Sequence, residues 1–160
     1  RVRAPDVLSP GQLAYAAQGK NNLLTGVEVE ASASSVQRGS QAAHVADQRL
    51  GTYWLCDAKD AEPSVGLRMK RPVRVGRVLL SHVRPTLDGE GLPMPMEVEL
   101  VLNRKRKIRT TMDPDPLRKT VIDLGETVTI RELQVRILSA QGCELGKCAL
   151  GFSEIELLPR

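Results

Sequence analysis

Aromatic side chains are nearly absent from this sequence: one Trp, two Tyr and one Phe make up 2% of 160 residues. Unpaired bases and sugar rings are usually held on aromatic faces. The basic run Arg104-Lys105-Arg106-Lys107 has no aromatic interleaved with it, which disfavours single-stranded nucleic acid as a partner. Long apolar runs are also missing, so no transmembrane helix is expected. No initiating Met and no signal peptide are present, and the opening Arg1-Val2-Arg3-Ala4-Pro5 reads as a piece cut from a longer protein. The two histidines, His44 and His82, lie far apart, and neither a Ser nucleophile elbow nor an HExxH motif occurs. The paired acids Asp113 and Asp115 are held in Pro turns, and there is no Gly-rich phosphate loop. Enzyme activity is therefore not expected. Cysteine is limited to Cys56, Cys143 and Cys148. A zinc site needs four ligands and no second pair is available. Cys143 and Cys148 can close a small disulfide loop or stand as two separate thiols, and the spacing alone leaves both open.

What is present is ordinary for one globular domain: 41% apolar and 26% charged residues, with a net charge of +4. That balance permits an acidic glycan, a phospholipid surface or nucleic acid as partner without demanding one. Residues 1–25 read as a lead-in or linker. Within it, Ser9-Pro10-Gly11 before Gln12–Gln18 marks a short N-capped helix that Gly19 can end. From residue 26 to residue 160 the pattern is that of strands. Val27 and Val29 alternate with acids, and Val65, Leu67 and Met69 alternate with polar residues until Arg71-Pro72. Val73–Val83 is β-rich, residues 84–95 are a Pro- and Gly-rich loop, and Met96, Val98, Leu100 and Leu102 form a clean period-two run. Asp113-Pro114-Asp115-Pro116 is a rigid turn, and Thr120–Leu124, Glu132–Leu138 and Leu150–Leu158 close the series. Seven or eight short strands separated by turn signals predict an all-β sandwich.

Two stretches carry a more specific signal: Asp47-Gln48-Arg49-Leu50-Gly51-Thr52-Tyr53-Trp54 early in the domain, and Ser153-Glu154-Ile155-Glu156-Leu157 at its end. Together they resemble the terminal signatures of discoidin-like domains, the group that holds the C domains of coagulation factors and family 32 carbohydrate-binding modules. The resemblance runs from about Gly26 to Leu158. It implies a jelly-roll sandwich of the galactose-binding-domain-like type, with Trp54 in the core. It implies that Asp47, Thr52 and Glu154 hold a structural calcium ion, an oxygen-seeking cation. The family usually reads Asp-Gly-Asp where this chain has Asp47-Gln48-Arg49. The alternative to calcium is therefore an Asp–Arg–Glu network that pins the chain ends together.

The resemblance also places a sugar-binding Arg where the Val73–Val83 segment ends. The frame Val78-Leu79-Leu80-Ser81-His82-Val83-Arg84 matches it, with His82, Asp88 and Glu90 as lesser partners. A guanidinium fork suits vicinal hydroxyls or a carboxylate. The family usually shows Ser-x-Asp-Gly and a Trp after the Met96 strand, and here Asn103–Lys107 stands instead, with Tyr53 as the spare aromatic nearby. The implied function is a non-catalytic glycan-binding module appended to a larger secreted or surface protein. A second resemblance competes with it. Thr52-Tyr53-Trp54 before Leu55-Cys56-Asp57 also looks like the substrate-docking domain of the anaphase-promoting complex, an intracellular relative of the same fold that binds peptide. The partner is thus a glycan or a protein.

Overall fold

The computed structural model describes residues 22–49, 51–84 and 93–160. The helix expected near the start of the chain, and with it most of the lead-in, lies outside the described residues. Among the described residues the architecture is antiparallel throughout. The strands are β1 (Val29–Ala33), β2 (Trp54–Leu55), β3 (Ser64–His82), β4 (Met94–Pro95), β5 (Glu97–Leu102), β6 (Arg106–Thr111), β7 (Thr120–Ile137), β8 (Ala140–Gln141) and β9 (Gly151–Leu158). The main sheet runs β2-β9-β3-β7-β5-β6 with β1 added to β3, while β4 and β8 form a separate ribbon. One 3-10 turn, Ala42–Ala46, precedes Asp47. No helix among these residues is long and apolar enough to cross a membrane.

Two long strands organise the sheet, and the sequence pattern had divided both. Arg71-Pro72 reads as a strand end, yet β3 passes straight through it. The ladder to β7 simply slips there: Arg68 pairs with Glu132, and the next pair is Val73 with Ile130. Pro72 has no N–H to give, so it sits where no ladder bond is required. A second slip follows between Val75 and Arg77, and this time the surplus residues are on β7, where Gly125 takes a φ of 78°. Bulges of this kind bend strands and increase their twist. With two of them, β3 serves β1 with its first half and β9 with its second. The sheet thereby folds over on itself as a β-sandwich around one core.

Leu67, Val78, Leu80, Leu100, Leu133, Val135, Phe152 and Ile155 fill that core, each no more than 2% exposed. Trp54 is fully buried, as the resemblance implies. Its Nε1 donates to the Ser35 carbonyl at 2.9 Å, and its ring centroid lies 6.2 Å from that of Phe152. An aromatic pair of this size dominates local burial energetics. Gly151 makes the arrangement possible, because a Cβ there would overlap the Trp54 carbonyl across the β2–β9 pair. The two ends of the domain meet: Leu23 N donates to Leu157 O at 2.7 Å, and Asn22 Oδ1 accepts from the amides of Leu24 and Leu157.

β5 departs from the expected alternation. Glu99 and Val101 should face solvent, yet they are 3% and 9% exposed. β5 is an interior strand, and Arg109 and Arg136 close over Glu99 from the strands on either side. Their guanidiniums, Arg109 above all, hold the Glu99 carboxyl below the usual carboxylate range. Met96, placed by its period on the buried side, is 39% exposed just ahead of the strand.

Candidate ligand-binding site

One end of the sandwich gathers the segments that the sequence singles out. β3 ends at His82, and Val83 and Arg84 carry the chain off the sheet, both half-buried. The β4–β8 ribbon, through Met94 and Pro95, and the start of β9 converge on the same place. Between them lies a cavity of about 230 Å³ lined by Gln37, Leu55, His82, Val83, Pro93, Met94, Pro95, Cys148, Ala149 and Gly151. Arg84 follows the wall residue Val83 directly. Asp88 and Glu90 lie outside the described residues.

His82 is in the floor of this cavity and not at its mouth, with 1% of its surface exposed. A bulge sets it there: Ser81 pairs with Glu154 and His82 with Phe152, leaving Ser153 over. The Ser153 hydroxyl donates to the His82 carbonyl at 2.7 Å. Bulges often re-aim a side chain beside a site. His82 Nε2 lies 2.7 Å from the Asp113 carbonyl, so that nitrogen carries the proton. Nδ1 is then an acceptor, buried and without a partner among the described residues. Burial pushes the imidazole pKa below its ordinary value, so the ring stays neutral and accepts at Nδ1.

The cavity wall includes a feature that sequence reasoning left open. Cys143 and Cys148 are bridged, and the short loop they close brings Cys148 and Ala149 to the cavity. A disulfide loop this short restricts the unfolded chain by roughly 2 kcal/mol. Replacing both cysteines by Ser should therefore lower the melting temperature by roughly 4–8 °C in calorimetry, with matching loss of rim order. An unchanged melting temperature would contradict a stabilising role for the bridge. The remaining cysteine, Cys56, is buried and free.

Asp47, Thr52 and Glu154 come together from distant parts of the chain. Thr52 Oγ1 donates to Asp47 Oδ2 at 2.5 Å, and Arg49 N donates to Asp47 Oδ1 at 2.9 Å. Gln48 N donates to Glu154 Oε2 at 3.2 Å. The Arg49 side chain is exposed, and among the described residues it pairs with neither Asp47 nor Glu154. The expected Asp–Arg–Glu network is thus not formed; only the Arg49 backbone reaches Asp47. Glu154 is 2% exposed and its Oε1 is buried without a partner among the described residues. Burial, and secondarily the Asp47 carboxylate, push its carboxyl up to about 9. Such a group needs a proton or a cation beside it. Two carboxylates and a hydroxyl fit calcium, which fills its shell with carbonyl and water oxygens. Among the described residues no three His, Cys, Asp or Glu side chains could hold a metal by themselves, which disfavours a zinc-type site.

The backbone here also records the departure at Gln48. Its φ is 61°, the left-handed region in which Gly carries no Cβ penalty. Gln48→Gly should stabilise the domain by about 1 kcal/mol, read as a melting temperature about 2–4 °C higher. A lower melting temperature would mean that the Gln48 side chain, which accepts from Thr25 Oγ1 at 3.2 Å, matters more than the backbone strain.

No protein-family model and no curated protein matches the sequence. Solved structures do match in shape. The family 32 carbohydrate-binding module of NanJ from C. perfringens, in complex with galactose, aligns with a TM-score of 0.66 at 14% identity, over 81% of this chain and 92% of that one. The module CBM32-3 from a family 31 glycoside hydrolase of Clostridium perfringens aligns with a TM-score of 0.69 at 12% identity, over 90% of this chain and 98% of that one. A fucose binding module from Streptococcus pneumoniae aligns with a TM-score of 0.64 at 16% identity, over 87% and 96%. The fold is therefore that of the family 32 carbohydrate-binding modules, a galactose-binding-like β-sandwich.

Proposed function

We propose that this chain is a non-catalytic glycan-binding module whose ligand sits at the loop end of the sandwich. The observation that supports the reading is a cavity at the end of β3, whose wall residue Val83 directly precedes Arg84 in the sequence, on a fold whose structural neighbours include modules in complex with galactose and with GalNAc-β-1,3-galactose. Arg84 supplies the planar fork of donors to sugar hydroxyls or to a sugar carboxylate. His82 offers Nδ1 as a lesser acceptor from the floor, and the carboxylates of Asp88 and Glu90, which follow Arg84 in the sequence, accept from hydroxyls. Loops on a rigid scaffold are where such sites are usually built. Calcium bound by Asp47, Thr52 and Glu154 has a structural part, tying the early turn to β9. One neighbour is itself a module of a glycoside hydrolase, which supports attachment of this chain to a larger protein, and the disulfide suits an oxidising, secreted or surface setting.

The competing reading, a protein-interaction domain of the same fold, draws on the lack of a fully exposed ring among the described residues. Trp54 and Phe152 are fully buried, and Tyr53 is only half-exposed. A glycan array probed with the tagged chain tests the two. Selective signal on galactose-, fucose- or GalNAc-terminated glycans supports the first. A blank array, with a specific protein captured in parallel, rejects it.

A further inference from the structure

We propose that the open face of the sheet made by β1, β3, β7, β5 and β6 is a second binding site, for an extended acidic polysaccharide. A groove of about 740 Å³ crosses this face. It shares no lining residue with the loop-end cavity, so it does not depend on the reading of that cavity.

Strand register builds the groove. Ser32, Gly66, Gln134, Val101 and Lys107 stand in one row across all five strands. Gly66 has no side chain, which leaves a hollow in the floor; a Cβ there would sit 3.3 Å from Ser32 Oγ. On one side of this row Arg68 and Arg104 both pair with Glu132, at 3.6 and 2.7 Å. On the other side Arg109 and Arg136 both pair with Glu99, at 3.0 and 3.3 Å. Each carboxylate is thus claimed by two guanidiniums, and each trio keeps a positive charge over. Lys107 stands in the row between them and makes no ion pair among the described residues. Among the described residues the carboxylates that line the groove are Glu132 and, toward the β1 rim, Glu30.

The chemistry of this surface selects its occupant. The shared carboxylates hold the guanidiniums in place before any ligand arrives, which reduces the ordering needed on binding. Arg forks match carboxylates in two-point fashion, and the Gln134 amide and the hydroxyls of Ser32 and Ser64 suit sugar hydroxyls. Among the described residues no aromatic lines the groove, so neither a neutral sugar ring nor an unpaired base finds a stacking face there. An extended peptide would add to a sheet edge through its backbone, and not lie across a face whose backbone bonds are already made. A polyuronate chain, with a carboxylate on each ring and hydroxyls between, meets both sets of donors.

The test is calorimetric titration with polygalacturonate and with its fully methyl-esterified, uncharged form. The account expects binding of the acid polymer that weakens as salt rises, with the ester at least roughly tenfold weaker. Lys107→Glu, and separately Arg104→Asn with Lys107→Gln, should each weaken polygalacturonate roughly tenfold or more, with unchanged melting temperature because both side chains are exposed. Arg84→Ala should bind polygalacturonate like the parent chain. Absence of binding by the parent, equal binding of the ester, equal binding of oligothymidylate, or unchanged binding in Lys107→Glu would each overturn the proposal. Loss in Arg84→Ala with retention in both groove variants would move the acid to the loop end and would also overturn it.

Discussion

In buffer containing a chelator, the protein should lose stability as pH rises from about 5 to about 8, and Glu154→Gln should abolish that slope. The folded carboxyl has its pKa raised to about 9 by burial and by the Asp47 carboxylate, with Glu156 adding to the effect and Lys119 opposing it. The unfolded chain releases this proton near the ordinary carboxylate pKa, whereas the folded chain keeps it. The folded state therefore binds more protons across the window, so its stability is fully present at acid pH and declines as pH rises toward 9. At pH near 7 the penalty is on the order of 3 kcal/mol. Glu154→Gln keeps the shape, removes the charge, and lets an amide face Asp47. Its melting temperature at pH about 8 should exceed that of the parent by roughly 10 °C.

Calcium should reverse the slope, because a bound divalent ion replaces the proton and adds stability by mass action, about 2.7 kcal/mol at a hundredfold excess over Kd. Glu154→Gln should lose most of that gain. A flat pH profile in chelator would contradict the buried-acid account. Indifference of the parent chain to both calcium and chelator would leave the proton as the sole occupant.

Arg84→Ala should weaken the glycan ligand about ten- to a hundred-fold, since removing one partner of a charged hydrogen bond costs roughly 1.5–3 kcal/mol. The loss should appear in Kd by calorimetry with the best glycan from the array. Arg84→Lys should restore only part of it, because an ammonium keeps the charge without the planar fork. Circular dichroism should be unchanged, as Arg84 lies past the end of β3 and outside the core. Normal affinity in Arg84→Ala would remove Arg84 from the site and bring the protein-interaction reading forward.

Much of this architecture is legible in the sequence, for reasons that are local. Period-two alternation marks β1 and the first half of β3, and Ser153–Leu157 marks β9. The pattern misleads at Pro72 because a proline without an N–H is compatible with a strand wherever the ladder slips, and the slip shows only in the pairing with β7, some sixty residues away. The same blindness to register splits β7 at Leu124 and Glu132, since the bulge around Gly125 looks like a turn.

The site divides in the same way. Asp47 and Glu154 are 107 residues apart, and only the resemblance of their flanking motifs pairs them. That Glu154 is buried with an unpartnered oxygen cannot be read from Ser-Glu-Ile-Glu-Leu, because alternation would put both acids in solvent; instead Glu156 meets Lys119 in a buried pair. The groove is invisible in one dimension. Arg68, Arg104, Lys107, Arg109 and Arg136 look like scattered surface charges until the register sets them in adjoining rows.

The most direct test of the loop-end site is an amide-resolved NMR titration of the disulfide-intact chain with galactose, fucose and GalNAc in turn. The account predicts saturable shifts for at least one sugar, centred on Leu55, Val83, Arg84, Cys148 and Gly151, with the sheet-face residues Gly66, Lys107 and Gln134 unmoved. No saturable shift with any of the three, or shifts centred away from the loop end, would contradict it.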